Sequence, residues 1–221
     1  MTTDAPRWRR RKTARPDEIV AAALEVFADK GFAGARLDDI ARRAGVSKGA
    51  LYLYFDTKED LFRAVTQTAV TPNLRAVLSA AEAFDGPFAE LAPVILERMA
   101  LVIGSSRLPA VVKTVIGESR NFPDLARIWH DDVVAVAIGM LSGLIARAQA
   151  RGEVAPGDPR LYAFSLIGPM LLGMLFLEIF GPGVADPPDL QALAAQHART
   201  VLRGMLNSAR PPPKDKPDEP N

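Results

Sequence analysis

Apolar residues recur along this chain every three to four positions, and no segment alternates with a period of two. Ile19, Ala22, Ala23, Val26 and Phe27 follow the i, i+3, i+4, i+7, i+8 spacing of one buried helix face. Pro16 suits the first turn, Asp17 and Glu18 complement the helix dipole, and Lys30-Gly31 reads as a stop. Leu37, Ile40, Ala41 and Ala44 predict a short second helix. Thr57 and Asp60 form a capping-box pair that opens a helix running from Lys58 towards Ala83, where "FDGP" at 84–87 breaks the pattern. Helices are predicted over Phe88–Ile103, Leu108–Ser119, Pro123–Arg151, Pro159–Phe180 and Asp189–Leu206. "RPPPKDKPDEPN" at the end has a disordered composition. The pattern predicts an all-α protein.

Between Leu37 and Phe55 the sequence is unusually constrained. Gly45 suits the positive φ of a tight turn, Ser47 is a good N-cap, and Val46, Leu51 and Phe55 point inward. Two short helices meeting at Gly45 make a helix-turn-helix. The second helix then presents Lys48, Gly49, Ala50, Tyr52 and Tyr54 outward. Small residues allow close approach, while an ammonium and phenol hydroxyls donate to phosphate oxygens. A surface of that kind suits a polyanion.

Composition changes the picture little. The 221 residues carry a formal net charge of +1, so bulk charge marks no partner. Local charge does: "RWRRRKTAR", residues 7–15, has no acid and precedes the first helix, where it could track phosphates or enter a minor groove. The absence of cysteine excludes a disulfide scaffold and a thiolate metal site. No signal peptide is read at the basic start. With two histidines, no cysteine, no phosphate loop and no nucleophile motif, the chain is a poor enzyme candidate. "WHDD", Trp129–Asp132, has poor spacing for a metal, and no cofactor or metal is expected.

"VFADKGFAGARLDDIARRAGVSKGALYLYFDTKEDLFRAV", residues 26–65, resembles the DNA-binding domain of TetR/AcrR-family transcriptional regulators. The shared pattern is IA, AGVS, KG, LY, YF and LF in register. The resemblance implies an N-terminal three-helix helix-turn-helix domain and a larger C-terminal helical domain for ligand binding and dimerisation. The expected division is a basic arm at 1–15, the DNA-binding domain at 16–63, the effector and dimerisation domain at 64–208, and a tail at 209–221. By resemblance Lys48, Tyr52, Tyr54 and Lys58 contact operator DNA, with Ser47, Gly49 and Ala50 lining the same face. Family members usually carry Thr or Ser before the second helix. Here Ala35 and Arg36 stand there, so the hydroxyl cap is lost and Arg36 is expected to meet phosphate as an ion.

The resemblance also implies a C-terminal cavity. Met99, Phe122, Trp129, Met140, Met170 and Met174 are the expected apolar walls, with Glu118 as a polar candidate beside Arg120, Asn121 and His130. "LYAFSLIGPMLLGMLFL", residues 161–177, is nearly long enough to span a bilayer, but it also suits a buried helix of a dimer. Ser165, Pro169 and Gly173 give it a small-residue strip, and Leu190, Leu193, His197 and Val201 on the next helix complete the expected dimer interface. The function implied is a cytoplasmic homodimeric repressor, with no membrane partner, released from operator DNA by a small hydrophobic effector. The alternatives are a helical adaptor or a transcriptional activator without such a ligand.

Overall fold

A computed structural model describes residues 16–207; the basic arm at 7–15 and the proline-rich tail lie outside them. The described residues form helices and no β-sheet. Helix α1 (Pro16–Gly34) buries Ile19, Ala22, Ala23, Val26 and Phe27, the face that the spacing predicts. Gly31 bends it: at φ 70° and ψ 176° the helix breaks where the expected stop stood, and a last turn carries Phe32 into the core. Helix α2 (Leu37–Arg43) and the five-residue α3 (Lys48–Tyr52) meet at Gly45, whose φ of 70° is the positive value a tight turn needs. The Ser47 hydroxyl caps α3 by accepting from Ala50 N at 3.2 Å. At α4 (Lys58–Val65), Thr57 and Asp60 satisfy each other's backbone N–H groups in a full capping box.

The long helix predicted from Lys58 is interrupted. Between α4 and α5 (Thr71–Glu82) lies a π-helical turn at Thr66–Val70. Pro72 explains it, since its ring lacks an N–H and clashes with the carbonyl four residues back, so the chain widens by one residue. Helices α6 (Phe88–Ser105) and α7 (Leu108–Glu118) follow. Helix α8 (Pro123–Trp129) passes through a second π-helical turn, His130–Val134, into α9 (Ala135–Ala150). Asp158 and Asp189 cap α10 (Pro159–Phe180) and α11 (Leu190–Met205), each accepting from a backbone N–H at 2.8 Å.

Two cores result. The first packs α1 to α4 around Phe27, Phe32, Leu51 and Phe62, and takes in Val111, Val115, Leu125 and Ile128 from α7 and α8. The second packs α6, α9, α10 and α11 around Leu96, Ile145, Leu166 and Met170. Helices α7 and α8 therefore belong to both halves, a connection that the expected boundary at 63/64 does not convey. The runs Pro123–Ala150 and Pro159–Phe180 are both long and apolar enough to cross a bilayer by length and composition.

Gly173 meets another helix of its own chain. It is buried beneath α11, and a Cβ there would stand 2.7 Å from Leu193 Cδ2 and 3.1 Å from Leu190 Cδ2. The small-residue strip thus lets two helices of one chain approach. Leu190 is buried in the second core, Leu193 and Val201 pack against it, and Pro169 is half-buried. His197 Nε2–H donates to the carbonyls of Leu166 at 3.0 Å and Ser165 at 3.2 Å. These residues are occupied within the chain; of the expected set, Ser165 has an exposed side chain.

Candidate nucleic-acid interface and apolar cavity

The outer face of α3 is built as its sequence suggests. Leu51 is fully buried and anchors the helix, which leaves Lys48 and Gly49 exposed and Tyr52 and Tyr54 more than two-fifths exposed. Ala50 is half-buried between them. Sequence reasoning passed over Leu53, which follows the last residue of α3 and is 81% exposed. The missed signal is its place two residues after buried Leu51, opposite the core. An exposed leucine flanked by two tyrosines is the kind of apolar group that meets a thymine methyl.

Lys48 is held by Asp38 at 2.8 Å across the turn, and this hydrogen bond keeps the ammonium's pKa above its ordinary value. Its charge persists throughout the neutral range, and a phosphate must compete with Asp38 for it. Asp38→Asn is therefore expected to raise affinity for nonspecific duplex DNA about two- to fivefold, read by fluorescence anisotropy. Arg36 is exposed at the N-cap of α2, and its side chain makes no capping bond.

Lys58 departs from expectation. Its Nζ turns inward, donates to the carbonyls of Phe32 and Ala35 (3.2 Å for the latter), and lies 4.3 Å from the Phe32 ring centroid. Burial holds its pKa below the ordinary lysine value, opposed by the charges of Glu59 and Glu118. The kink at Gly31 leaves carbonyls facing the start of α4, and an ammonium there satisfies them. Lys58 thus acts on the fold before it acts on phosphate. Lys58→Ala is expected to cost about 1–2 kcal/mol of stability in thermal unfolding, with the salt dependence of DNA binding unchanged.

A partly open apolar cavity of about 390 Å³ lies between α5, α6, α7, α9 and α10. That is more than twice the roughly 150 Å³ engineered cavity known to take benzene. Met99, Trp129 and Met174 line it as expected, joined by Val112, Phe164 and Leu171. Among the described wall residues Ser106 carries the one hydroxyl, and it is already committed: it donates to Val102 O at 2.6 Å and accepts from Leu108 N at 3.3 Å. Among the described residues no charged side chain faces the space.

The other expected wall residues lie elsewhere. Met170 is buried in the second core, on a side of α10 turned from the cavity, and Met140 is half-buried on α9 between wall residues Ile138 and Leu141 without joining them. Phe122 packs edge-on against Phe32 at 5.0 Å. Glu118, expected to orient a ligand, instead accepts backbone N–H groups from Phe32 (2.9 Å) and Ala33. Arg120, Asn121 and His130 are exposed and away from the wall.

Both halves have counterparts among known proteins. Residues 19–65 match the bacterial regulatory proteins of the tetR family, and residues 93–186 match the tetracyclin repressor-like C-terminal domain. Over 204 residues the chain is 31% identical to the HTH-type transcriptional repressor BepR of Brucella suis biovar 1, covering 89% of this chain and 92% of that protein. The chain belongs to the TetR family. It is a DNA-binding transcriptional regulator, and its relatives are regulators rather than enzymes. It is also 27% identical over 160 residues to the fatty acid metabolism regulator protein of Bacillus subtilis, covering 71% of this chain and 81% of that one. Among solved structures, a TetR-family regulator from Mesorhizobium loti superimposes with a TM-score of 0.73 at 25% identity, covering 89% of this chain and all of that one. FadR of B. subtilis, solved with stearoyl-CoA, shares the fold at a TM-score of 0.69 and 21% identity, over 86% of this chain and 99% of its own.

Proposed function

We propose that this TetR-family regulator is a cytoplasmic homodimeric repressor that binds a palindromic operator and is released by an uncharged hydrophobic effector. The wall of the cavity carries this reading. A space whose described lining is almost wholly apolar, with the Ser106 hydroxyl spent, stabilises hydrocarbon and disfavours a buried charge. The helix-turn-helix supplies the operator face: Lys48 and Tyr52 for phosphate, Gly49, Ala50 and Leu53 for close approach to bases, and Ser47, Arg36 and Tyr54 at its margins.

The dimer face is assigned to the surface of α10 that the chain leaves uncovered. Leu161, Leu172 and Ile179 are each more than half exposed and, with Ser165, recur at helical spacing on one side. Ala192, Gln196 and Arg199 of α11 are also exposed. A neighbouring side of α10, roughly a quarter-turn round the helix, lines the cavity through Phe164, Ile167 and Leu171. One apolar helix thus has a ligand face and a partner face, which accounts for its composition without a membrane.

The test is thermal unfolding and operator binding with and without 1-dodecanol. Mass action should raise the Tm, and linkage should lower operator affinity. A Tm rise with unchanged operator affinity would show that the cavity is no switch.

A further inference from the structure

We infer that Glu118 is the positioning residue through which the cavity acts on the operator face, an inference that rests on the effector reading above. Helix α7 begins at the cavity and ends at the DNA-binding half. Leu108, Val112, Val115 and Ile116 line the space, and the next polar side chain along the helix is Glu118. Its two carboxylate oxygens accept the N–H groups of Phe32 and Ala33, 86 and 85 residues earlier in the chain. Those N–H groups fall just after the break at Gly31, where no helical carbonyl remains to take them. Gly31 itself is closed over by the same carboxylate, since a Cβ there would run into Glu118 Oε1.

The segment held in this way is not a remote loop. Ala35 and Arg36 follow it directly, and Arg36 is the N-cap of α2, the first helix of the helix-turn-helix. From the other side Lys58, the first residue of α4, donates to Phe32 O and Ala35 O. A carboxylate from the far end of a cavity-lining helix and an ammonium from the DNA-binding half therefore hold one short segment by opposite polar groups. Between them the Phe32 ring packs on Phe27, Phe62 and Phe122 at 5.4, 5.8 and 5.0 Å. A ligand that moves α7 must carry the Phe32–Ala33 amides with it or break two charge-assisted bonds. Either way the entry to α2 shifts relative to the partner subunit's.

The experiment compares the parent with Glu118→Ala and Glu118→Gln, using the duplex that the parent selects from a random library. Operator affinity and Tm are measured with and without saturating 1-dodecanol. The parent is expected to lose about tenfold or more in affinity on adding the probe. Glu118→Ala should show the same probe-induced rise in Tm while its operator affinity changes less than about threefold. Glu118→Gln, whose single amide oxygen can accept one of the two N–H groups, should fall between. An alanine variant that responds as fully as the parent overturns the inference and leaves the effector reading standing. If circular dichroism shows that variant unfolded, a glutamine variant with the parent's full response overturns it equally. A parent whose operator affinity ignores the probe overturns the effector reading itself, and this inference with it.

Discussion

Leu172→Arg should leave the chain folded and yet abolish tight operator binding. Leu172 is 69% exposed, so its replacement disturbs no packing within the chain and should move the Tm only slightly. It lies at the centre of the stripe running from Leu161 to Ile179, where an arginine from each protomer would be buried against apolar surface without a partner. Light scattering should report a monomer, while circular dichroism retains the full helix content. A single helix-turn-helix reads few base pairs, and losing the tethered second copy should weaken operator binding by about 100-fold or more. A variant that stays dimeric would place the interface elsewhere.

The neighbouring residue should behave in the opposite way. Gly173 faces Leu190 and Leu193, and even a methyl group there comes within 2.7 Å of a leucine. Gly173→Arg must force α10 from α11 and bury a guanidinium, a combined cost of about 4 kcal/mol or more. For a domain of this size that approaches the whole of its stability. The expected result is loss of the cooperative thermal transition, with the second core disrupted first. Two adjacent substitutions to the same residue therefore separate an outer surface from an inner one.

The contrast also shows what a sequence of this kind can disclose. The turn at Gly45, the Ser47 cap and the Thr57–Asp60 capping box were all legible because every partner lies within a few positions. The exposed outer face of α3 was legible for the same reason, apart from Leu53. Lys58 and Glu118 were not, because their partners stand 26 and 86 residues away: Lys30-Gly31 announces the break in α1 but not which side chains meet the groups it frees. A lysine at a helix N-terminus suggests phosphate until the carbonyls of Phe32 and Ala35 are found above it. Likewise, the strip Ser165–Pro169–Gly173 announces a close helix approach without naming the other helix. For the cavity, residue type identified the chemistry, but placing a methionine on the wall requires the rotation of each helix. Met174 lines the space and Met170, one turn earlier, does not.

The central claim is that α3 is the DNA-reading surface, and one affinity tests it most directly. A double variant, Lys48→Ala with Tyr52→Phe, removes one ammonium and one hydroxyl from exposed positions and leaves buried Leu51 untouched. Its binding should be measured at physiological salt against the duplex that the parent selects from a random library. That duplex should contain two inverted half-sites whose centres lie about 34–36 Å apart, or farther if the half-sites are spaced more widely. The expected result is an affinity loss on the order of 100-fold, with unfolding unchanged. A folded double variant that binds the duplex as tightly as the parent would contradict it.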